Sequence, residues 1–98
     1  MNDDEKTRRA LHLTITGRVH GVGYRDFVQR EASERELAGW VRNRRDGSVE
    51  AVVVGPEATV DSLIDACRRG PSAAAVADIR VTDYTGPFLA GFMVLPTE

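Results

Sequence analysis

Residues 39–54, GWVRNRRDGSVEAVVV, hold two β-rich runs on either side of Arg45, Asp46 and Gly47. Asp-Gly suits a tight hairpin because the turn's central positions call for positive φ, which glycine takes freely and aspartate tolerates. Strands are therefore expected at about 39–44 and 48–54, paired antiparallel. What flanks this hairpin decides the fold.

Upstream, Leu11, Leu13 and Ile15 alternate with His12, Thr14 and Thr16, the period of a strand with one buried face. Between that strand and the hairpin, Tyr24, Phe27, Val28 and Ala32 recur at helical spacing, and the helix is expected to run to about Leu37. Downstream, Gly55-Pro56 should end the third strand, with Pro56 in the first turn of a second helix. Val60, Leu63, Ile64 and Cys67 form its apolar stripe, and Arg68, Arg69 and Gly70-Pro71 close it. Ala77, Ile79 and Val81 then alternate with Asp78, Arg80 and Thr82, and a short run from Phe92 to Leu95 follows Gly86-Pro87.

The order βαββαβ predicts an α+β fold, a ferredoxin-like split βαβ sandwich. Its sheet is mostly antiparallel, with two helices on one face and a short extra C-terminal strand. The first and second strands run parallel with the third between them, and right-handed crossovers put both helices on the same side. The loop after the first strand and the end of the second then open on one edge of the sheet. That brings Asn43 near Gly17–Arg25 across the intervening helix.

The chain of 98 residues fits one domain, expected over 11–98, after a flexible tail over 1–10. The opening MNDDEKTRR lacks the apolar core of a secretory signal, and no apolar run approaches the roughly 20 residues of a membrane span. A single cysteine, Cys67, rules out an internal disulfide and a thiolate metal cluster, and suits a cytoplasmic location. His12 and His20 have no carboxylate or cysteine at ligand spacing, so neither a metal nor another cofactor is expected. A net charge of -2 gives no basic face for nucleic acid. Arg42, Arg44 and Arg45 read as an exposed hairpin face, and Trp40 is expected on the core side of the second strand.

A small anion is another matter. GRVHGVGYR, residues 17–25, puts Gly17, Gly21 and Gly23 just before a helix. Positive φ at these glycines can turn several N–H groups inward, and the helix N-terminus adds its unsatisfied amides and dipole. Arg25 in the first turn offers a planar guanidinium that matches two phosphate oxygens. The spacing G-x-x-x-G-x-G is neither the dinucleotide fingerprint nor a nucleotide-triphosphate loop. On spacing alone, the loop is either an anion cradle or a structural connection.

GRVHGVGYR resembles the signature loop of the acylphosphatase family. GWVRNRRDGSVE resembles its second block, Gly-Trp-Val-x-Asn followed by Asp-Gly. The likeness covers nearly all residues from Leu11 to Leu95. It implies that Arg25 binds phosphate and that the amides of Arg18, Val19, His20, Gly21, Val22, Gly23 and Tyr24 form the cradle. It also implies that Asn43 orients the attacking water, making Arg25 and Asn43 the catalytic pair. The sequence departs from the family pattern at His20, where many members have glutamine, at Tyr24, where many have phenylalanine, and at Ala75, where arginine is common.

The implied activity is hydrolysis of the carboxyl–phosphate bond of small acyl phosphates, giving a carboxylate and inorganic phosphate. No cofactor, metal, nucleic acid or membrane is implied, and a monomer is expected. An RNA recognition motif shares the element order, but the third strand, SVEAVVV, offers no aromatic platform. The other alternative is a non-catalytic phosphate- or anion-binding regulatory domain of the same fold, since a pocket does not guarantee turnover.

Overall fold

The computed structural model describes residues 8–98. The elements run β1 (Arg8–Arg18), α1 (Tyr24–Glu34), β2 (Ala38–Asn43), β3 (Val49–Pro56), α2 (Glu57–Arg69), β4 (Ala75–Asp83) and β5 (Phe92–Val94). They form one five-stranded sheet in the order β4-β1-β3-β2-β5. β3 pairs antiparallel with both β1 and β2, so β1 and β2 run parallel around it. β4 adds antiparallel to β1, and β5 adds parallel to β2 at the far edge. This is the α+β ferredoxin-like arrangement the element order implies. Among the described residues, no helix is long and apolar enough to cross a membrane.

Alternation decides which face is dry. Leu13, Ile15, Val41, Val49, Ala51 and Val53 are fully buried on one side of the sheet. Against them pack Tyr24, Val28 and Ala32 of α1, four residues apart, and Val60, Leu63 and Cys67 of α2. Val41 occupies the helix side of β2, so its neighbour Trp40 lies on the opposite face. That corrects the expectation of a core-side Trp40. The ring is half-buried, with the Arg42 guanidinium 4.9 Å from its centroid.

Several boundaries also shift. β1 begins at Arg8, pairing Arg8 with Pro56 and Arg9 with Gly55. The last three residues of the expected tail are thus strand, and residues 1–7 lie outside the described range. The same pairing carries β3 through Gly55-Pro56, so Pro56 is the N-cap of α2 and not a first-turn residue. α1 stops at Glu34, short of Leu37. Glu36 adopts φ 57, and Leu37 and Glu36 donate to the carbonyls of Ala32 and Ser33, a Schellman closure without glycine.

Candidate active site

Three segments converge where β1 and β2 end on the same edge: the loop 19–23, the first turn of α1, and Asn43 at the tip of β2. They line a cavity of about 120 Å³ formed by Val19, Gly21, Gly23, Arg25, Asp26 and Asn43. The topology expected from the order of elements thus brings Asn43 and Arg25 to one cavity.

The loop's shape follows from its ends. Val19 and Tyr24 are buried anchors, and between them Gly21 and Gly23 take φ +69 and +77. A Cβ at either would meet nothing, so glycine serves the backbone conformation there and leaves the main chain open to a ligand. Gly17, at φ +121, is different. It lies where the β1–β4 register shifts, and a Cβ would run into the main chain of Ala75 and Ala77.

Gly23 is the N-cap of α1 and offers no side-chain cap. Among the described residues, no backbone or side-chain group accepts from the amides of His20 to Asp26, and the first turn closes only at Phe27 N–H to Gly23 O, 3.0 Å. A run of free N–H groups at a helix N-terminus is a site for an anion. Arg25 adds the fixed charge. The half-buried arginines Arg35, Arg42 and Arg44 each pair with a glutamate, whereas Arg25, also half-buried, pairs with none of the described residues.

Asn43 supplies the opposite wall. Its Oδ1 is buried and accepts from no described residue. An unpaired buried carbonyl costs about 1–3 kcal/mol, so the position favours a donor. Its main-chain carbonyl accepts from Glu98 N–H at 3.0 Å, and Val49 is its partner in β3. The hairpin beyond it is closed by Arg44 N–H to Ser48 O, 2.8 Å, with Gly47 at φ 95.

The remaining residues expected at the cradle are placed as follows. Arg18 closes β1 opposite Ala75, is exposed, and does not line the cavity. The Val22 side chain packs against the core. His20 Nε2 donates to Ser48 O at 2.8 Å, fixing the ring in a tautomer or charge state that carries a proton there. The Tyr24 hydroxyl donates to Cys67 O at 2.8 Å inside the core, where burial foremost pushes the phenol well above its usual range. Burial also pushes the Cys67 thiol up to about 12, which keeps it protonated and unreactive. Sequence reading missed Asp26. Its only signal is its place next to Arg25 in the first turn of a helix that begins at the cavity.

The family described as Acylphosphatase matches residues 11–94. The chain is 52% identical over 97 residues to the acylphosphatase of Azoarcus sp. (strain BH72), covering 99% of each chain. Among solved structures it superposes on an acylphosphatase from Bacillus subtilis with a TM-score of 0.82 at 41% identity, covering 88% of this chain and 97% of that one. An acylphosphatase from Coxiella burnetii gives a TM-score of 0.87 at 33% identity, with 97% and 100% covered.

Proposed function

The chain belongs to the acylphosphatase family, enzymes of acyl phosphate hydrolysis, and on that premise we propose how its own residues carry out the reaction. The phosphoryl group lies in the loop, held by the free amides from His20 to Tyr24 and by the Arg25 guanidinium. Phosphoryl transfer spreads charge over the equatorial oxygens, and donors fixed before the reaction stabilise that charge without reorganising. A carboxylate is already a weak base, so its departure needs little general-acid help.

Asn43 addresses the nucleophile. Its side-chain amide cannot act as a base at neutral pH, but Oδ1 can accept from a water and fix its line of approach. The water oxygen attacks phosphorus, the bond to the acyl oxygen breaks, and the carboxylate leaves with the bonding pair. The water's proton passes to an oxygen of the substrate. The observation that carries this reading is that Asn43, whose buried Oδ1 has no partner among the described residues, lines one cavity with Arg25 and the glycines of the loop.

The rest of the reading is a monomeric cytoplasmic enzyme whose working unit is the domain from Arg8, the first residue of β1, to Glu98. It acts on small acyl phosphates without nucleic acid, membrane or metal.

Benzoyl phosphate hydrolysis tests the assignment. Arg25→Ala should lose both turnover and competition by inorganic phosphate, whereas Asn43→Ala should lose turnover and keep the competition. Orientation of a bound water contributes up to ~7–11 kcal/mol in favourable systems, so the Asn43 loss should span orders of magnitude. A chelator should leave the wild-type rate unchanged. Phosphate binding without turnover in the wild type would instead identify an anion-binding domain.

A further inference from the structure

The phosphate loop and the Asn43 amide sit on different segments, and something must set the distance between them. Hydrogen bonds within the cradle cannot, because the amides from His20 to Asp26 have no acceptor among the described residues. Val19, Val22 and Tyr24 anchor the loop in the helix-side core, which also holds Val41 and Val49 of the hairpin strands, but such apolar contacts fix no polar atom of the loop against the hairpin turn. One hydrogen bond among the described residues joins the loop to the β2–β3 hairpin: His20 Nε2 to Ser48 O, 2.8 Å.

The far end of that bond is rigid. Ser48 is buried, and its N–H and hydroxyl both donate to Asp46 Oδ1, at 2.9 and 2.7 Å. Its carbonyl also accepts Arg44 N–H, the bond that closes the hairpin directly after Asn43. Ser48 is followed by Val49, the cross-strand partner of Asn43. The imidazole therefore ties the loop to a carbonyl whose place relative to Asn43 is fixed by the hairpin itself.

We infer that His20 is a positioning residue whose side chain fixes the separation between the phosphate loop and the Asn43 amide. The inference rests on the reading of the site given above. It assigns the imidazole no contact with substrate. Its bond to Ser48 would influence attack by the water and leave the hold on phosphate to the amides and Arg25.

The test compares kcat, KM and inhibition by inorganic phosphate for H20A and H20Q, with R25A and N43A measured alongside and folding checked by circular dichroism. Misplacing reacting groups by an ångström can cost about 100-fold, so H20A should lose about 10- to 100-fold in kcat while its phosphate inhibition constant moves less than about threefold. H20Q, which keeps an N–H donor at the end of the side chain, should recover most of kcat. Wild-type kcat in H20A, an equal loss of phosphate binding, or H20Q no better than H20A would overturn the inference. Retained phosphate inhibition in R25A, or wild-type turnover in N43A, would instead overturn the reading of the site, and the His20 role with it. If H20A does not fold, wild-type NMR decides: the His20 Nε2 proton should exchange slowly with solvent, and exchange at the rate of a free imidazole would refute the bond.

Discussion

Asp26 follows Arg25 into the first turn of α1 and lines the same cavity. Its carboxylate suits the positive end of the helix but opposes an incoming phosphate. Asp26→Asn should therefore tighten competitive inhibition by phosphate, by about two- to fivefold given the exposure of the site. Unchanged or weaker inhibition would show that the carboxylate does not act on the bound anion. The place of Arg25 beside the cavity was legible in the sequence because a fixed charge follows a glycine-rich turn into a helix. Asn43 was not legible as chemistry without the family likeness, since an asparagine beside a hairpin commonly bonds to its own backbone. Only packing reveals that its Oδ1 accepts from no described residue. Trp40 was misplaced for a related reason: a large aromatic suggests core, yet the two-residue period of β2 gives the core side to Val41.

At the scale of elements, each misplaced boundary traces to a contact distant in sequence or to an unmarked backbone turn. Gly55-Pro56 reads locally as a break, but pairing with Arg8 and Arg9 holds it in β3. The end of α1 carries no glycine, so nothing in the sequence marked Glu36 as the left-handed residue of the closure. That conformation costs a non-glycine residue about 1–2 kcal/mol, part of which glycine returns through its greater freedom when unfolded. Glu36→Gly should thus stabilise the protein by about 0.5–1 kcal/mol, a rise in Tm of roughly 2–8 °C for a domain of this size. A lower Tm in a thermal melt would mean that the Glu36 side chain contributes more than its backbone strain costs.

Across the whole molecule, the order of elements sufficed for the architecture because the connections leave few topologies, and that topology alone brought Asn43 to the glycine loop. The face of the sheet opposite the helices was less legible. There Glu50 accepts from His12 at 2.6 Å and from Arg42 at 2.7 Å, linking β1, β2 and β3, with His12 far from it in sequence and Arg42 across the hairpin. Burial alone would raise the Glu50 carboxyl, but the hydrogen bonds from His12 and Arg42 and their charges outweigh it and hold the group below its ordinary range. A carboxyl lowered by folding stabilises the protein above its unfolded-state value, and that contribution disappears as pH falls through the folded one. The stability gap between wild type and Glu50→Gln, followed by urea unfolding, should therefore be present at neutral pH and close below about pH 4. A gap independent of pH would remove Glu50 from the ionic account of stability.

The central claim is that main-chain N–H groups, assisted by one guanidinium, hold the phosphate. It is tested most directly by following backbone amide resonances by NMR during titration with inorganic phosphate. The expected result is saturable shifts concentrated in the amides of the loop and first turn, His20 to Asp26, at concentrations that inhibit hydrolysis, and no such shifts in Arg25→Ala. Inhibition by phosphate with those amides unmoved, or with the shifts centred on another part of the sheet, would contradict it.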